Sequence, residues 1–478
     1  MRTTLWFQGD SALKTDYLAS VRSGDELNIR EQISLVMHLS LPTIMAHLST
    51  TAMEYIDAAM VGSLGAAASA SIGLVASSTW LFNGICFSST AGYTVMAAQQ
   101  IGAGGEKEAR NLMKEAFLFG TALAMLVGLI GALVSSSLPR WLGADEAICR
   151  DAGRYFLVFA LALPVSRVNN IAAAMLESSG NMRTPSLLNV LMCFMDVLFN
   201  ALLIYPTRVW HGITLPGAGL GVLGAALGTA LSHLVTALLM LYALLVRSPM
   251  LHLRKGEPLR FTRTHFYQNL RLALPVAAQE MVLSGAQVVS TRIVAPLGTV
   301  AIAANSFAVT AEGLCYMPGY GIGNAAAVII GQSTGAGRKE LTRKLGWIIT
   351  LIGMGIMALT GAAMYFAAPF VIGMLSPDPA VVALGTEVLR LEVVAEPLYA
   401  ASIVGEGVCR GAGDTLAPSL LEFGSMWLIR LPIALLLSRT MGLRGVWIGM
   451  TVELCARGLL FLLRLAGKKW QKEAVRID

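Results

Sequence analysis

Charge is missing from long stretches of this chain. Residues 58–105, 116–139, 209–246 and 345–377 contain no Asp, Glu, Lys or Arg, and a helix that crosses a bilayer needs roughly 20 mostly apolar residues. The longest stretch has room for a helix, a turn and a second helix. Followed along the whole chain, the pattern predicts twelve spans, approximately at 33–63, 70–98, 112–138, 152–176, 184–205, 217–246, 266–296, 302–330, 344–370, 381–409, 416–438 and 443–466. This is the pattern of an all-α polytopic membrane protein. It leaves a tail over 1–32, a first bundle over 33–246, a linker over 247–265, a second bundle over 266–466 and a second tail over 467–478.

A repeat with a constant offset of 233 residues runs through the spans. Pro42 matches Pro275, Leu64-Gly65 matches Leu297-Gly298, and Gln99 with Gly102-Ala103-Gly104 matches Gln332 with Gly335-Ala336-Gly337. Further on, Pro164 matches Pro397, and Gly180 with Pro185-Ser186-Leu187-Leu188 matches Gly413 with Pro418-Ser419-Leu420-Leu421. Six spans per half is an even number, so both halves enter the membrane from the same side. Transporters built this way place their sites near the midplane. The fold expected is therefore two pseudo-symmetric six-helix bundles.

Composition and charge sharpen this picture. Apolar residues make up 55% of the chain and charged residues 13%, at a mean hydropathy of +0.65, outside the range of ordinary soluble domains. The net charge of +6 does not point to nucleic acid, because the basic residues are spread along one face of the predicted topology. Lys and Arg concentrate in the termini and in the loops after even-numbered spans. Arg247, Arg254, Lys255, Arg260, Arg263 and Arg271 lead them, which puts both termini in the cytoplasm. The N-terminal segment lacks the features of a cleavable signal. The six cysteines have no metal-ligand spacing, so neither a disulfide framework nor a metal site is read from them. The Gly102–Gly105 run lacks a preceding strand and a following Lys-Ser/Thr, and reads as a helix-ending turn, not a phosphate cradle.

Residues 38–104 resemble the multidrug and toxic compound extrusion (MATE) family, through Pro42, Tyr55-Ile56-Asp57-Ala58-Ala59-Met60-Val61-Gly62 and Gly102-Ala103-Gly104. So do Arg410-Gly411-Ala412-Gly413-Asp414-Thr415 and Arg430-Leu431-Pro432. The resemblance implies twelve helices in two bundles, export of small organic cations and drugs, and coupling to protons or sodium ions. A monomer in the plasma membrane, the inner membrane of a bacterial cell, is expected. No cofactor is expected.

A carboxylate in a span is costly unless hydrated, paired or neutralised, so each one is a candidate. Asp57 occupies the place of the first-helix aspartate that the family uses for coupling. Glu54 lies one turn earlier on the same helix face. In the fifth span the family commonly shows Asn, three residues, then Asp; here the order is Asp196 then Asn200, exchanged but still on one face. A sodium ion at Asp57 and Asp196 is one form the site could take, a shared proton the other. Asn169 and Asn170 in the fourth span are further polar candidates, against the alternative of interhelical hydrogen bonds. In the second half, Glu280, Glu312 and Glu396 are candidates for a substrate or second cation site. In the NorM branch an acid lies eight residues after the seventh-span proline and another eleven before the tenth-span arginine. Here those places hold Leu283 and Tyr399, with Glu280 and Glu396 three residues before them and so about one turn away. Glu453 and Arg457, four apart in the last span, are expected to neutralise each other.

The leading reading is an antiporter that uses alternating access. Its 23 Met suit an adaptable cavity. A flippase of lipid-linked precursors is the alternative, disfavoured by cavity candidates that are mainly acidic. A membrane-embedded enzyme would need a convergent catalytic set, and the six His are scattered. A channel would need a ring of charges or a carbonyl filter, and neither is visible.

Overall fold

The computed structural model describes residues 17–474 except 144, 211, 212, 255 and 473. Lys255, one of the basic residues used to orient the chain, lies outside them. A short helix α1 (Tyr17–Ser23) precedes the first long one, α2 (Ile29–Gly62). The remaining first-half helices are α3 (Ala66–Ser88), α4 (Ala91–Gly102), α5 (Glu106–Val134), a single turn α6 (Leu138–Trp141), α7 (Glu146–Ser178), α8 (Arg183–Leu203) and α9 (Val222–Tyr242). The second half holds α10 (Arg263–Val294), α11 (Thr299–Gly335), α12 (Lys339–Leu375), α13 (Pro379–Glu392), α14 (Glu396–Gly411), α15 (Leu416–Ser425), α16 (Leu431–Met441) and α17 (Leu443–Ala466). The repeat is visible in the boundaries, since α11 begins and ends 233 residues after Ala66 and Gly102, and α12 begins 233 after Glu106.

Among the described residues eleven helices are long and apolar enough to cross a membrane, where twelve spans were expected. The chain is an all-α multi-pass membrane protein, and the shortfall lies in the tenth span. There the helix breaks between Glu392 and Glu396, leaving α13 and α14 each too short to be counted. Pro397 supplies the cause, because it has no N–H for the carbonyl of Val393 and its ring crowds that oxygen. The chain instead tightens, with Ala395 N–H donating to Glu392 O at 2.7 Å. Its repeat partner Pro164 lies inside α7 without a break. Before Pro432 the same pressure is met by a wider turn, a π-helical segment over Met426–Arg430.

The loop before the sixth span is more ordered than expected. A β-hairpin pairs Pro206–Trp210 with Ile213–Ala218, and α9 begins at Val222, later than the predicted 217. The glycines decide this. Gly219 and Gly221 adopt φ of 64° and 56°, which a helix does not allow, and a Cβ on Gly217 would lie 2.2 Å from Tyr205 O.

The chain forms two compact units. The first comprises Ser49–Ala97 and Glu106–Ala273; the second comprises the described residues up to Leu48, then Ala98–Gly105 and the chain from Leu274 onward. In the first unit the linker is fastened to the start of α5. Arg110 makes two hydrogen bonds of 2.8 Å to Glu257, and Asn111 bonds both the N–H and the carbonyl of Arg260. Arg110 holds the Glu257 carboxyl down at about 2, first through these hydrogen bonds and then through its charge.

In the second unit the core rests on small residues, as bilayer packing favours. Ala304, Ala308 and Ala311 of α11 are buried with Val388 and Leu389 of α13 and Trp447 of α17. The two copies of the Gln-Gly turn interlock reciprocally within this unit: a Cβ on Gly102 would lie 2.0 Å from Gln332 O, and one on Gly335 would lie 1.8 Å from Gln99 O. This close approach is why residues 98–105 group with the second half's helices.

A side chain at either glycine must push a backbone apart. Gly335→Ala is expected to destabilise the protein by at least about 1–3 kcal/mol, the usual cost of overpacking. Gly373→Ala, where nothing lies within 4 Å, should be neutral. Thermal unfolding of both in detergent checks this, and equal melting temperatures would remove the interlock as a determinant of stability.

Candidate functional site

Three polar side chains converge inside the first unit. Asp57 stands near the end of α2, fifteen residues after Pro42, half-buried. Asp196 and Asn200 lie one turn apart on the face of α8 that the unit buries completely, at 0% and 1% exposure. The Asn200 carboxamide joins them: Nδ2 donates to Asp57 Oδ1 at 2.8 Å and to Asp196 Oδ2 at 3.0 Å. Ser232 of α9 donates to the other oxygen of Asp196 at 3.2 Å. The two carboxyls are also within hydrogen-bonding reach of each other. Each amide hydrogen thus has one acceptor, which fixes the carboxamide and, through it, the spacing of the acids.

The glycine at 228 makes this possible. A Cβ there would lie 2.0 Å from Asn200 Oδ1, so only a bare backbone leaves the carboxamide its place. That Oδ1 is buried without a hydrogen-bond partner. With the carboxylate oxygens it forms a set of hard oxygen donors, of the kind a proton or an alkali cation takes. Two carboxylates this close repel, and one proton or one monovalent cation between them removes the repulsion. Among the described residues no group of three or more His, Cys, Asp or Glu is arranged to hold a metal ion. The His233 and Tyr155 side chains lie within electrostatic reach of Asp196.

The other first-half candidates lie outside this hydrogen-bonded set, although Glu54 is within electrostatic reach of Asp57. Glu54 is exposed, and among the described residues no hydrogen bond or ion pair ties it to Asp196 or Asn200. Arg167 donates to Phe87 O and to the Thr90 hydroxyl. Asn169 is buried with its Oδ1 unpartnered, while Asn170 is exposed. Neighbours in sequence, they point about 100° apart around α7.

A second cluster occupies the core of the second unit. Glu312 of α11, Glu392 of α13, Glu396 of α14 and Glu453 of α17 are buried, with the other three all within electrostatic range of Glu312. Arg457 crosses the cluster, 3.0 Å from Glu453 and hydrogen-bonded to Glu422 at 2.9 Å, with its guanidinium 5.3 Å from the Tyr399 ring centre. Arg430, placed by the π-turn, is the second cation near Glu312. The carboxyl oxygens of Glu392 and Glu396, on either side of the helix break, have no hydrogen-bond partner.

Of the second-half candidates the structure therefore brings Glu312, Glu396 and Tyr399 together, and the expected Glu453–Arg457 pair forms. Glu280 is not with them. Its charged neighbours are Glu406 and Arg410, and the adjacent Gln279 is what reaches the cluster, by donating to Glu422. One residue is 100° of helix rotation, enough to turn the acid away. Glu392, Glu422 and Arg430 were missed as site residues. A signal existed, since each is a charge inside a predicted span, and Glu392 precedes Glu396 by one turn.

Known proteins agree with the architecture. The chain is 27% identical over 450 residues to the probable multidrug resistance protein NorM of Thermotoga maritima, covering 92% of this chain and 93% of that one. It is 24% identical to the multidrug resistance protein PmpM of Pseudomonas aeruginosa, with 92% of each covered. A crystal structure of a mutant of the Vibrio cholerae MATE transporter VcmN superposes with a TM-score of 0.85 at 18% identity, over 95% of this chain and 99% of that one. The MatE family model matches residues 42–202 and again 275–436, the two repeats in turn, and the chain belongs to the MATE family of transporters.

Proposed function

We propose that this protein exports drugs and other small organic, mostly cationic compounds across the cytoplasmic membrane, in exchange for protons or sodium ions. One observation carries the coupling part: Asp57 and Asp196, from helices distant in sequence, meet on a single carboxamide. The cargo part is supported by the relatives: NorM of Thermotoga maritima is a probable multidrug resistance protein and PmpM of Pseudomonas aeruginosa a multidrug resistance protein.

The pair works as a charge switch. With both acids ionised the first unit holds a negative site that attracts an organic cation. When a proton or sodium ion enters down its gradient, one of the two charges is cancelled, the pull on the cation weakens and the cation leaves. Release of the ion restores the site, and the Asn200 amide keeps the acids in register throughout. The second unit adds a place where an organic cation would be welcome. Tyr316 stacks edge-on with Tyr320 and Tyr399 at 5.8 and 5.7 Å, offering π faces to a positive charge. The protein acts as a monomer, with both termini cytoplasmic.

Topology can be tested without transport. In a background lacking the native cysteines, Pro258→Cys in the linker should react with an impermeant thiol reagent only from the cytoplasmic side. Thr207→Cys at the hairpin should react only from outside. Labelling of both from one side overturns the arrangement.

Asp57→Asn keeps the shape of the site and removes one titrating charge. In liposomes at matched protein density, efflux of a fluorescent organic cation driven by an imposed pH gradient or sodium gradient should fall to background, while binding of the same cation survives in part. Gly228→Ala leaves every charge in place but forces Asn200 aside, and should also depress gradient-driven efflux. The gradient that drives the wild type names the coupling ion. Wild-type efflux by Asp57→Asn would take this residue out of the mechanism.

A further inference from the structure

The surface of the second unit carries a groove that neither charge cluster uses. It follows α12 and α13 past the helix break. An apolar trough of 310 Å3, lined by Ala358, Gly361, Ala362, Phe366 and Pro397, meets a mouth of 620 Å3 lined by Thr386, Glu387, Arg390 and Thr451. Tyr365 and Val394 line both, so the two spaces adjoin. The trough exists because Pro397 interrupts the tenth span and because Gly361 has no side chain. A Cβ on that glycine would lie 2.9 Å from Val393 O. Its rim is apolar and open, with Phe366 78% and Val394 69% exposed.

The chemistry changes at the mouth. Arg390 is held in place twice by Tyr365, through a 2.9 Å hydrogen bond from Nε to its carbonyl and by its guanidinium lying 5.1 Å from the ring centre. Among the described residues its two terminal amines have no partner. The nearby carboxylate of Glu387 is committed to Arg444 at 2.6 Å, which leaves the mouth with a net positive charge. Thr386, only 8% exposed, lines the same space, and its hydroxyl, closed to solvent, has no hydrogen-bond partner among the described residues. Arg390 sits in the last turn of α13, well inside a span, where an unpaired guanidinium is costly. Its side chain leans toward the helix N-terminus and so toward the membrane surface.

We propose that this groove binds one membrane phospholipid, with the phosphate on the Arg390 fork and the Thr386 hydroxyl and an acyl chain along the trough. The charge selects the occupant. An organic cation is repelled by Arg390, and a free phosphate leaves the trough unfilled; an anionic head on an apolar chain satisfies both parts. The bound lipid braces α13 against α12 where the helix break has removed backbone hydrogen bonds. The inference is independent of the coupling reading.

The test uses the full chain purified in mild detergent, with phosphatidylglycerol as the probe. Bound lipid is counted by native mass spectrometry and its effect read from thermal unfolding. The wild type should retain one lipid and melt higher when it is added, and inorganic phosphate alone should do neither. Arg390→Gln should weaken lipid binding by about fivefold, the loss of a phosphate-paired arginine near a membrane surface. Ala362→Phe fills the trough without touching charge and should weaken it too, as should Thr386→Val. Arg154→Gln, an exposed arginine of the first unit, should bind as the wild type does. Wild-type lipid retention in Arg390→Gln and Ala362→Phe overturns the proposal. So does an equal effect of inorganic phosphate, or equal loss in Arg154→Gln. If Arg390→Gln does not fold, Ala362→Phe and Thr386→Val decide in its place.

Discussion

A charge or polar group held away from water must find a partner within the protein, and this constraint organises the molecule. It forces the backbone into helices, whose hydrogen bonds close on themselves. It leaves long stretches with no ionisable side chain at all. Many of the charges that remain inside spans are then gathered into two groups. In the first unit two carboxyls share the two hydrogens of one amide. In the second, four buried glutamates surround Arg430 and Arg457. A group that water cannot reach depends on geometry for its partners.

The two halves descend from one template, yet their chemistry has diverged completely. At the offset of 233, Asp57 corresponds to Ser290, Asp196 to Ile429 and Asn200 to Ile433. In the reverse direction Glu312 corresponds to Thr79, Glu392 to Phe159 and Glu396 to Leu163. What the repeat conserves in this chain is backbone geometry: the prolines that bend or break spans, and the glycines that let helices approach. Pro164 and Pro397 show how far even that can differ. One is absorbed within α7, while the other splits a helix and places two unpartnered glutamates at the ends. The same break opens the groove along α12, so one proline accounts for both a buried charge cluster and a surface feature.

Close backbone approach is the other recurring device. The Gln-Gly turns of the two repeats lock onto each other's carbonyls, and Gly407 and Gly411 of α14 approach the backbone of α11 in the same way. In a bilayer no hydrophobic force drives helices together, so contact area must come from small residues. Gly228 extends this use from packing to the site, because the space it leaves is what the Asn200 carboxamide occupies.

Much was legible in the sequence because it depends on local composition and spacing. A charge-free run long enough to cross a bilayer predicts a helix within it, though not its start: 209–246 opens in a hairpin and turns helical at Val222. A constant offset between matched prolines and glycines means a repeated bundle. Asp196 and Asn200 had to share a face because they lie four residues apart on one helix. What depends on rotation and on distant neighbours was not legible. A single residue of phase separates Gln279, which joins the second cluster, from Glu280, which does not. The same proline bends one helix and breaks its repeat partner, and nothing in the residues themselves says which will happen. Local sequence determined the helices and the polar residues they carry; only tertiary packing decided which of those residues meet. The angular position of a side chain around a helix axis is set by every helix packed against it.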